Sequence, residues 1–149
     1  MSIRPATEAD SAVWIELRSK LWPEAASEHP RDVARFFAGA RREPQEVLLA
    51  FSETEAPLGF VELSIRNIVD GCVTGRVAYL EGWFVEEGAR RQGIGRALIA
   101  AAQEWGMAQG CREFASDSEI ENRVSIAAHR ALGFEETDRV VCFRKELAK

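Results

Sequence analysis

The chain has 149 residues, of which 46% are hydrophobic and 29% charged, and its 19 Lys+Arg against 24 Asp+Glu give a formal net charge of −5. At about 150 residues per domain this predicts one domain over the whole length, large enough to bury a core without disulfides or a structural metal. The composition excludes a disordered, collagenous or membrane-spanning chain. The acid excess argues against a nucleic-acid binder, whose phosphate contacts need a basic face, and suits a cationic partner.

In chain order, Ser2 to Arg4 predicts a short edge strand stopped by Pro5. Thr7 is a good N-cap with Asp10 three residues on, and Val13, Trp14, Leu17 and Leu21 recur at helical spacing, so 8–21 predicts a helix ended by Trp22-Pro23. Pro30 can open a second helix carrying Val33, Phe36, Phe37 and Ala40 on one side. Val47 to Phe51, Leu58 to Val69 and Val77 to Val85 predict an antiparallel meander, with Asp70-Gly71 as a hairpin signal. Ile94, Ala97, Leu98, Ala101, Ala102 and Trp105 then fall at i, i+3, i+4, i+7, i+8 and i+11, an amphipathic helix closing at Gly110. A strand over 112–116, a helix over 122–132 capped by Gly133 and a last strand over 140–145 complete the order βα(α)βββαβαβ, an α+β or mixed α/β fold.

Nothing in this order is a targeting or metal signature. The N-terminus lacks the apolar stretch of a signal peptide, and no run approaches the roughly 18 apolar residues of a membrane span. Cys72, Cys111 and Cys142 are an odd number with no CxxC, and the two histidines form no HExxH, so the expectation is a cytoplasmic protein with reduced thiols and no metal.

The segment that carries chemistry runs from Glu81 to Ala97: a strand, a basic glycine-bearing turn, then a helix. Gly93 and Gly95 let a ligand approach the backbone, because no Cβ intervenes. First-turn N–H groups have no intrahelical acceptor and sit at the positive end of the helix dipole, with Arg90, Arg91 and Arg96 adding charge. Such a turn suits a pyrophosphate. It is not a P-loop, which needs GxxxxGK[ST], nor a dinucleotide fingerprint, because Leu98 stands where the third Gly or Ala belongs. A GxG at this place also serves tight helix–strand packing, so the motif alone leaves both readings open.

Arg90-x-x-Gly93-x-Gly95 resembles the acetyl-CoA signature of the GNAT acetyltransferase superfamily, and the element order resembles that family over essentially the whole chain. The resemblance implies a central mixed, mostly antiparallel sheet with a splayed strand pair and helices on both faces. It also implies acetyl-CoA as co-substrate: backbone groups of Phe84, Val85 and Glu86 along the pantetheine, the N–H groups of Arg91, Gln92, Gly93, Ile94, Gly95 and Arg96 on the pyrophosphate, and Asn122 near the thiol end. Asn122 is equally placed to cap its helix, and both roles are compatible.

Within that superfamily the chain is similar to aminoglycoside 6′-N-acetyltransferases in Leu21-Trp22-Pro23, Leu80-Glu81-Gly82, Phe84-Val85, Trp105-Gly106, Gly110-Cys111-Arg112-Glu113, Ala115-Ser116-Asp117 and Leu132 to Thr137. This similarity implies contacts to a cationic aminosugar from Trp22, Glu81, Asp117 and Asp138, the last acting across a homodimer interface. Where the family has an aromatic after Ser64-Ile65-Arg66, this chain has Asn67-Ile68 and is one residue shorter.

The residue chemistry agrees with that substrate. Carboxylates beside a thioester bind ammonium groups and accept the proton of the reacting one, which makes Glu81 and Asp117 the candidate bases. Glu81 lies between apolar residues in a strand, where a carboxylate is either paired or functional. Asp117 is also placed to cap the next helix, and Trp22 either stacks on a sugar or packs. A backbone N–H near Val85 would steady the oxyanion. His129 stands where many family members have the tyrosine that protonates the leaving thiolate, and it is equally a helix-surface residue. The expected reaction is direct transfer from acetyl-CoA to a 6′-amine. Its rivals are the same chemistry on a polyamine, amino acid or peptide N-terminus, a catalytically silent CoA-binding module, and a structural domain without a ligand.

Overall fold

The computed structural model describes residues 1–41 and 43–148. Contacts divide the chain into two compact units, Met1–Asp117 and Ser118–Lys149.

Among the described residues of the first unit, five strands form one sheet in the order β1-β2-β3-β4-β5. They are β1 (Ser2–Pro5), β2 (Glu46–Phe51), β3 (Pro57–Arg66), β4 (Val77–Val85) and β5 (Glu113–Ala115), with helices α1 (Ser11–Leu21), α2 (His29–Phe37) and α3 (Ile94–Ala108). The first four strands pair antiparallel, and β5 joins β4 in parallel. That pairing covers only Val77 to Tyr79 of β4. From Leu80 onward β4 leaves β5 behind, which is the splayed pair expected of the sheet.

The sheet is covered on both faces because neighbouring residues of β4 point opposite ways. Gly82 meets Trp22 beyond the end of α1, while Trp83 meets Gly95 of α3. On the first face Trp14, Leu17, Val33, Phe36, Val47, Leu49, Phe51 and Phe60 form a buried hydrophobic cluster. On the other, α3 buries Ile94, Leu98 and Ala102 of the predicted stripe together with Ile99 and Gly106, while Ala97, Ala101 and Trp105 are half-buried.

The start of α1 differs slightly from expectation: Glu8–Asp10 is a 3₁₀ turn that leads into the α-helix. Asp10 explains the tight entry. Its carboxylate accepts from the Thr7 N–H at 2.8 Å and from both guanidinium nitrogens of Arg4 at 2.7 and 3.1 Å. Arg4 holds the Asp10 carboxyl down at about 2.

Two expectations are corrected. β3 and β4 pair antiparallel and the chain does turn at Asp70-Gly71, where Gly71 has φ +84° and the Cys72 N–H donates to the Val69 carbonyl at 3.0 Å, but this turn lies within a longer loop over 67–76 and does not join the strands directly. Glu113 of β5 anchors it, accepting from the Val73 N–H (3.1 Å), the Thr74 N–H (2.7 Å) and the Thr74 hydroxyl (2.5 Å). The predicted strand over 140–145 does not form, and residues 134–148 carry no regular secondary structure. An apolar run becomes a strand only where a neighbouring strand completes its ladder, and among the described residues none pairs with this segment.

The second unit consists of α4 (Arg123–Ala131) and the chain that follows it. Asn122 caps α4, its Oδ1 accepting from the Ser125 N–H at 3.0 Å. Among the described residues no helix is long and apolar enough to cross a membrane, and no cluster of His, Cys, Asp and Glu could hold a metal ion.

Candidate active site

A β-bulge creates the centre of the site. β3 and β4 pair Glu62 with Gly82 and Leu63 with Leu80, so Glu81 has no residue opposite it. A bulge re-aims the extra side chain and bends its strand. Glu81 thereby leaves the regular alternation and meets Arg66, whose Nη2 donates to Oε1 at 2.7 Å and Nε to Oε2 at 3.0 Å. Burial pushes the Glu81 carboxyl above its ordinary value, and Arg66 pulls it back only in part.

The other candidate base joins this group through Tyr79. The Tyr79 hydroxyl donates to Asp117 Oδ2, and Arg66 lies 3.7 Å over the Tyr79 ring. Burial and the Asp117 carboxylate raise the phenol well above its usual range. Glu81 and Asp117 are therefore two ends of one array, Glu81–Arg66–Tyr79–Asp117, with Glu43 on the outer side of Arg66 at 3.3 Å. Neither Tyr79 nor Arg66 stands out along the sequence. The register Ser64↔Tyr79 and Arg66↔Val77 is what brings them together.

Trp22 forms the neighbouring wall. A Cβ on Gly82 would lie 2.6 Å from the Trp22 ring, so only glycine admits the indole here. Arg18 stacks over Trp22 at 5.1 Å and over Trp14 at 5.8 Å. His29 Nε2 donates to the Trp22 carbonyl at 2.9 Å. Packing thus fixes the half-buried indole beside Glu81's strand. Behind it, buried Glu62 accepts from Trp14 Nε1 at 2.9 Å and faces Arg18 at 3.4 Å. Burial pushes the Glu62 carboxyl up to about 7, against the pull of Arg18 and Trp14.

At its far end β4 runs into the glycine turn. Gly93, the N-cap of α3, has φ +82°, and Arg91 has φ +65°. Arg91, Gln92, Gly93 and Arg96 are exposed at the helix start, while Ile94 is buried. A Cβ on Gly95 would come 3.2 Å from the Trp83 ring, and one on Gly93 would meet nothing within 4 Å. The two glycines therefore divide the roles left open by the sequence: Gly95 seats α3 on the sheet, and Gly93 turns the chain and leaves open space before the first-turn N–H groups. That cradle fits the pyrophosphate of acetyl-CoA. Gly93→Ala is expected to cost roughly 1 kcal/mol through left-handed backbone strain, lowering Tm by about 2–4 °C. It should also raise KM for acetyl-CoA while leaving acceptor KM in place, which steady-state kinetics on both substrates checks.

Other predicted cofactor contacts are partly committed elsewhere. The Glu86 N–H donates to the Leu58 carbonyl at 2.8 Å, and its carboxylate accepts from Lys20 at 2.7 Å. Arg90 folds back so that its Nε donates to the Val85 carbonyl at 2.9 Å, with its guanidinium 5.7 Å from the Phe84 ring. Phe84 and Val85 themselves lie half-buried on the splayed part of β4.

In the second unit His129 Nδ1 donates to the Ser125 carbonyl at 2.7 Å, and its ring packs edge-on against Phe134 at 5.1 Å. The neutral ring thus carries its proton on Nδ1, and only the imidazolium can donate from Nε2. Asn122 uses Oδ1 as a helix cap, and Asp138 is exposed.

A splayed β4, a bulge carboxylate and a glycine turn opening α3 define an acyl-CoA-dependent acyltransferase, and the chain belongs to the acetyltransferase (GNAT) family, whose sequence model matches residues 12–134. It is 47% identical over 146 residues to the aminoglycoside N(6′)-acetyltransferase type 1 of Klebsiella aerogenes, covering 97% of this chain and 96% of the relative. It is 44% identical over 147 residues to the Stenotrophomonas maltophilia enzyme of the same name, covering 98% and 94%. Among solved structures, AAC(6′)-Iy in complex with the bisubstrate analogue CoA-S-monomethyl-acetylneamine aligns with TM-score 0.89 at 38% identity over 98% of both chains. Apo AAC(6′)-IG from Acinetobacter haemolyticus aligns with TM-score 0.91 at 39% identity, covering 99% of this chain and 100% of that one.

Proposed function

We propose that this protein transfers the acetyl group of acetyl-CoA to the 6′-amino group of aminoglycosides, in a ternary complex and with antibiotic resistance as the outcome. The observation that carries this reading is the half-buried Glu81 carboxylate, set on the β4 bulge of the same strand that runs into the Gly93 turn. Full-length similarity to enzymes named for this activity supports it.

Bound at the Gly93 turn, acetyl-CoA supplies a thioester carbonyl for attack. The N–H groups of residues 91–96 hold its pyrophosphate, and Phe84, Val85 and Glu86 line its path. Glu81 and Asp117 bind the acceptor's ammonium groups, and one of them, directly or through a water, takes a proton so that the free amine can attack the thioester carbonyl. Trp22 walls the sugar. Asn122 contacts the co-substrate near its thiol, and His129 or solvent protonates the departing CoA thiolate. Holding both reactants in place supplies much of the rate. The family match runs across the boundary between the two units, which supports a single catalytic domain.

The protein works as a cytoplasmic homodimer in which Asp138 serves the neighbouring site. The exposure of Val140 (64%), Val141 (77%), Phe143 (93%) and Leu147 (79%) in the single chain supports a second copy covering this arm, and the free Cys72, Cys111 and Cys142 fit a reducing compartment.

The test is thiol release from acetyl-CoA with kanamycin or tobramycin, against an aminoglycoside carrying a 6′-hydroxyl. Turnover confined to the 6′-amines is the expected result. Turnover with neither, or with both alike, overturns the reading. Light scattering at working concentration checks the dimer.

A further inference from the structure

The carboxylate placed to receive the acceptor's ammonium already holds a cation. Arg66 takes one lone pair on each Glu81 oxygen, at 2.7 and 3.0 Å, and only 12% of the Glu81 side chain remains exposed. Each oxygen keeps a second lone pair, but with so little of the side chain exposed an ammonium pairs fully with this carboxylate only when the guanidinium moves. Arg66 itself is 38% exposed, rests on the flat Tyr79 ring at 3.7 Å and has a second carboxylate, the 66%-exposed Glu43, at 3.3 Å. It therefore has a place to go that keeps its charge paired.

We propose that Arg66 is the resident cation of the acceptor site: its guanidinium occupies Glu81 until an acceptor ammonium displaces it toward Glu43, so that Glu81 is reserved for acceptors with enough positive charge to make the exchange. This rests on the assignment of Glu81 to the acceptor. Its physical content is a competition. Breaking the bidentate pair is charged against acceptor binding, and without Arg66 the half-buried carboxylate would wait without that partner and bind a cation more tightly.

The experiment compares wild type with Arg66→Gln by calorimetric titration of kanamycin and by steady-state kinetics, with the KM for acetyl-CoA as control. The expected result is a fall in kanamycin Kd and KM on the order of fivefold, the size of one ion pair no longer broken on binding. The salt dependence of Kd should steepen because the site gains a net negative charge. Glu43→Gln should weaken kanamycin binding in wild type and have a smaller effect on the Arg66→Gln background, since the displaced guanidinium would no longer need Glu43. Unchanged or weaker kanamycin binding by Arg66→Gln, with wild type active and acetyl-CoA KM intact, overturns the proposal alone. So does a loss confined to kcat, which would make Arg66 a residue that aims Glu81. A wild type that neither binds nor acetylates kanamycin overturns the functional reading and the proposal with it.

Discussion

Glu81→Gln is expected to lower kcat/KM for a 6′-amino aminoglycoside by about a hundredfold to ten-thousandfold, the usual contribution of a positioned general base. The amide keeps the size of the side chain but cannot take a proton, and it loses the charge that attracts the ammonium. KM for acetyl-CoA should stay near the wild-type value, because the Gly93 turn lies at the other end of β4. In wild type, the acidic limb of kcat/KM should lie above the range of an ordinary glutamate, since burial outweighs the pull of Arg66 on this carboxyl. That limb should disappear in the variant. A pH series of initial rates on both proteins measures it, and equal losses in acceptor turnover and acetyl-CoA affinity would remove Glu81 from the chemistry.

Trp14→Ala is expected to destabilise the fold by roughly 3–5 kcal/mol, a large share of the 5–15 kcal/mol typical of a domain. The indole is fully buried, meets Phe36 and Phe37 edge-on at 5.1 and 5.8 Å, and donates to Glu62 at 2.9 Å. Its removal opens a cavity and deprives a buried carboxyl of its hydrogen bond. Tm should fall by on the order of 10 °C. Trp14→Phe separates the two effects, since it keeps most of the bulk and loses only the donor, at a cost of about 1–3 kcal/mol. The folded state raises the Glu62 carboxyl from 4.5 to about 7, so Glu62 opposes folding increasingly as pH rises through that window. Above it the ionised carboxylate needs the indole N–H most. Urea denaturation should therefore show a larger penalty for Trp14→Phe at pH 8 than at pH 6.

Much of this was legible before the structure. The spacing from Ile94 to Trp105 locates α3 because an amphipathic stripe is a local signal. Glu81 stands out because a carboxylate among apolar strand residues calls for a partner or a role. What escaped is non-local. Arg66 and Tyr79 become site residues only through the β3–β4 register, and the bulge that frees Glu81 is a one-residue slip that no pattern along either strand announces. Glu62 meets Trp14 across 48 positions of sequence. The failure of 140–145 to form a strand has the same origin, since β structure depends on a partner elsewhere.

The Glu113 anchor bears on how such an enzyme can change. It grips the β3–β4 loop at Val73 and Thr74, near the loop's return to the sheet. The stretch from Asn67 to Cys72, with Ile68 89% exposed, hangs from that fixed point. Insertions or deletions before Val73 can therefore be taken up ahead of this anchor without shifting the β4 bulge or the Gly93 turn. Length can thus drift in this loop while the bulge and the glycine turn stay as they are, and a loop-length library spanning 67–72, scored for folding and for acetyl-CoA turnover, measures how much change the anchor absorbs.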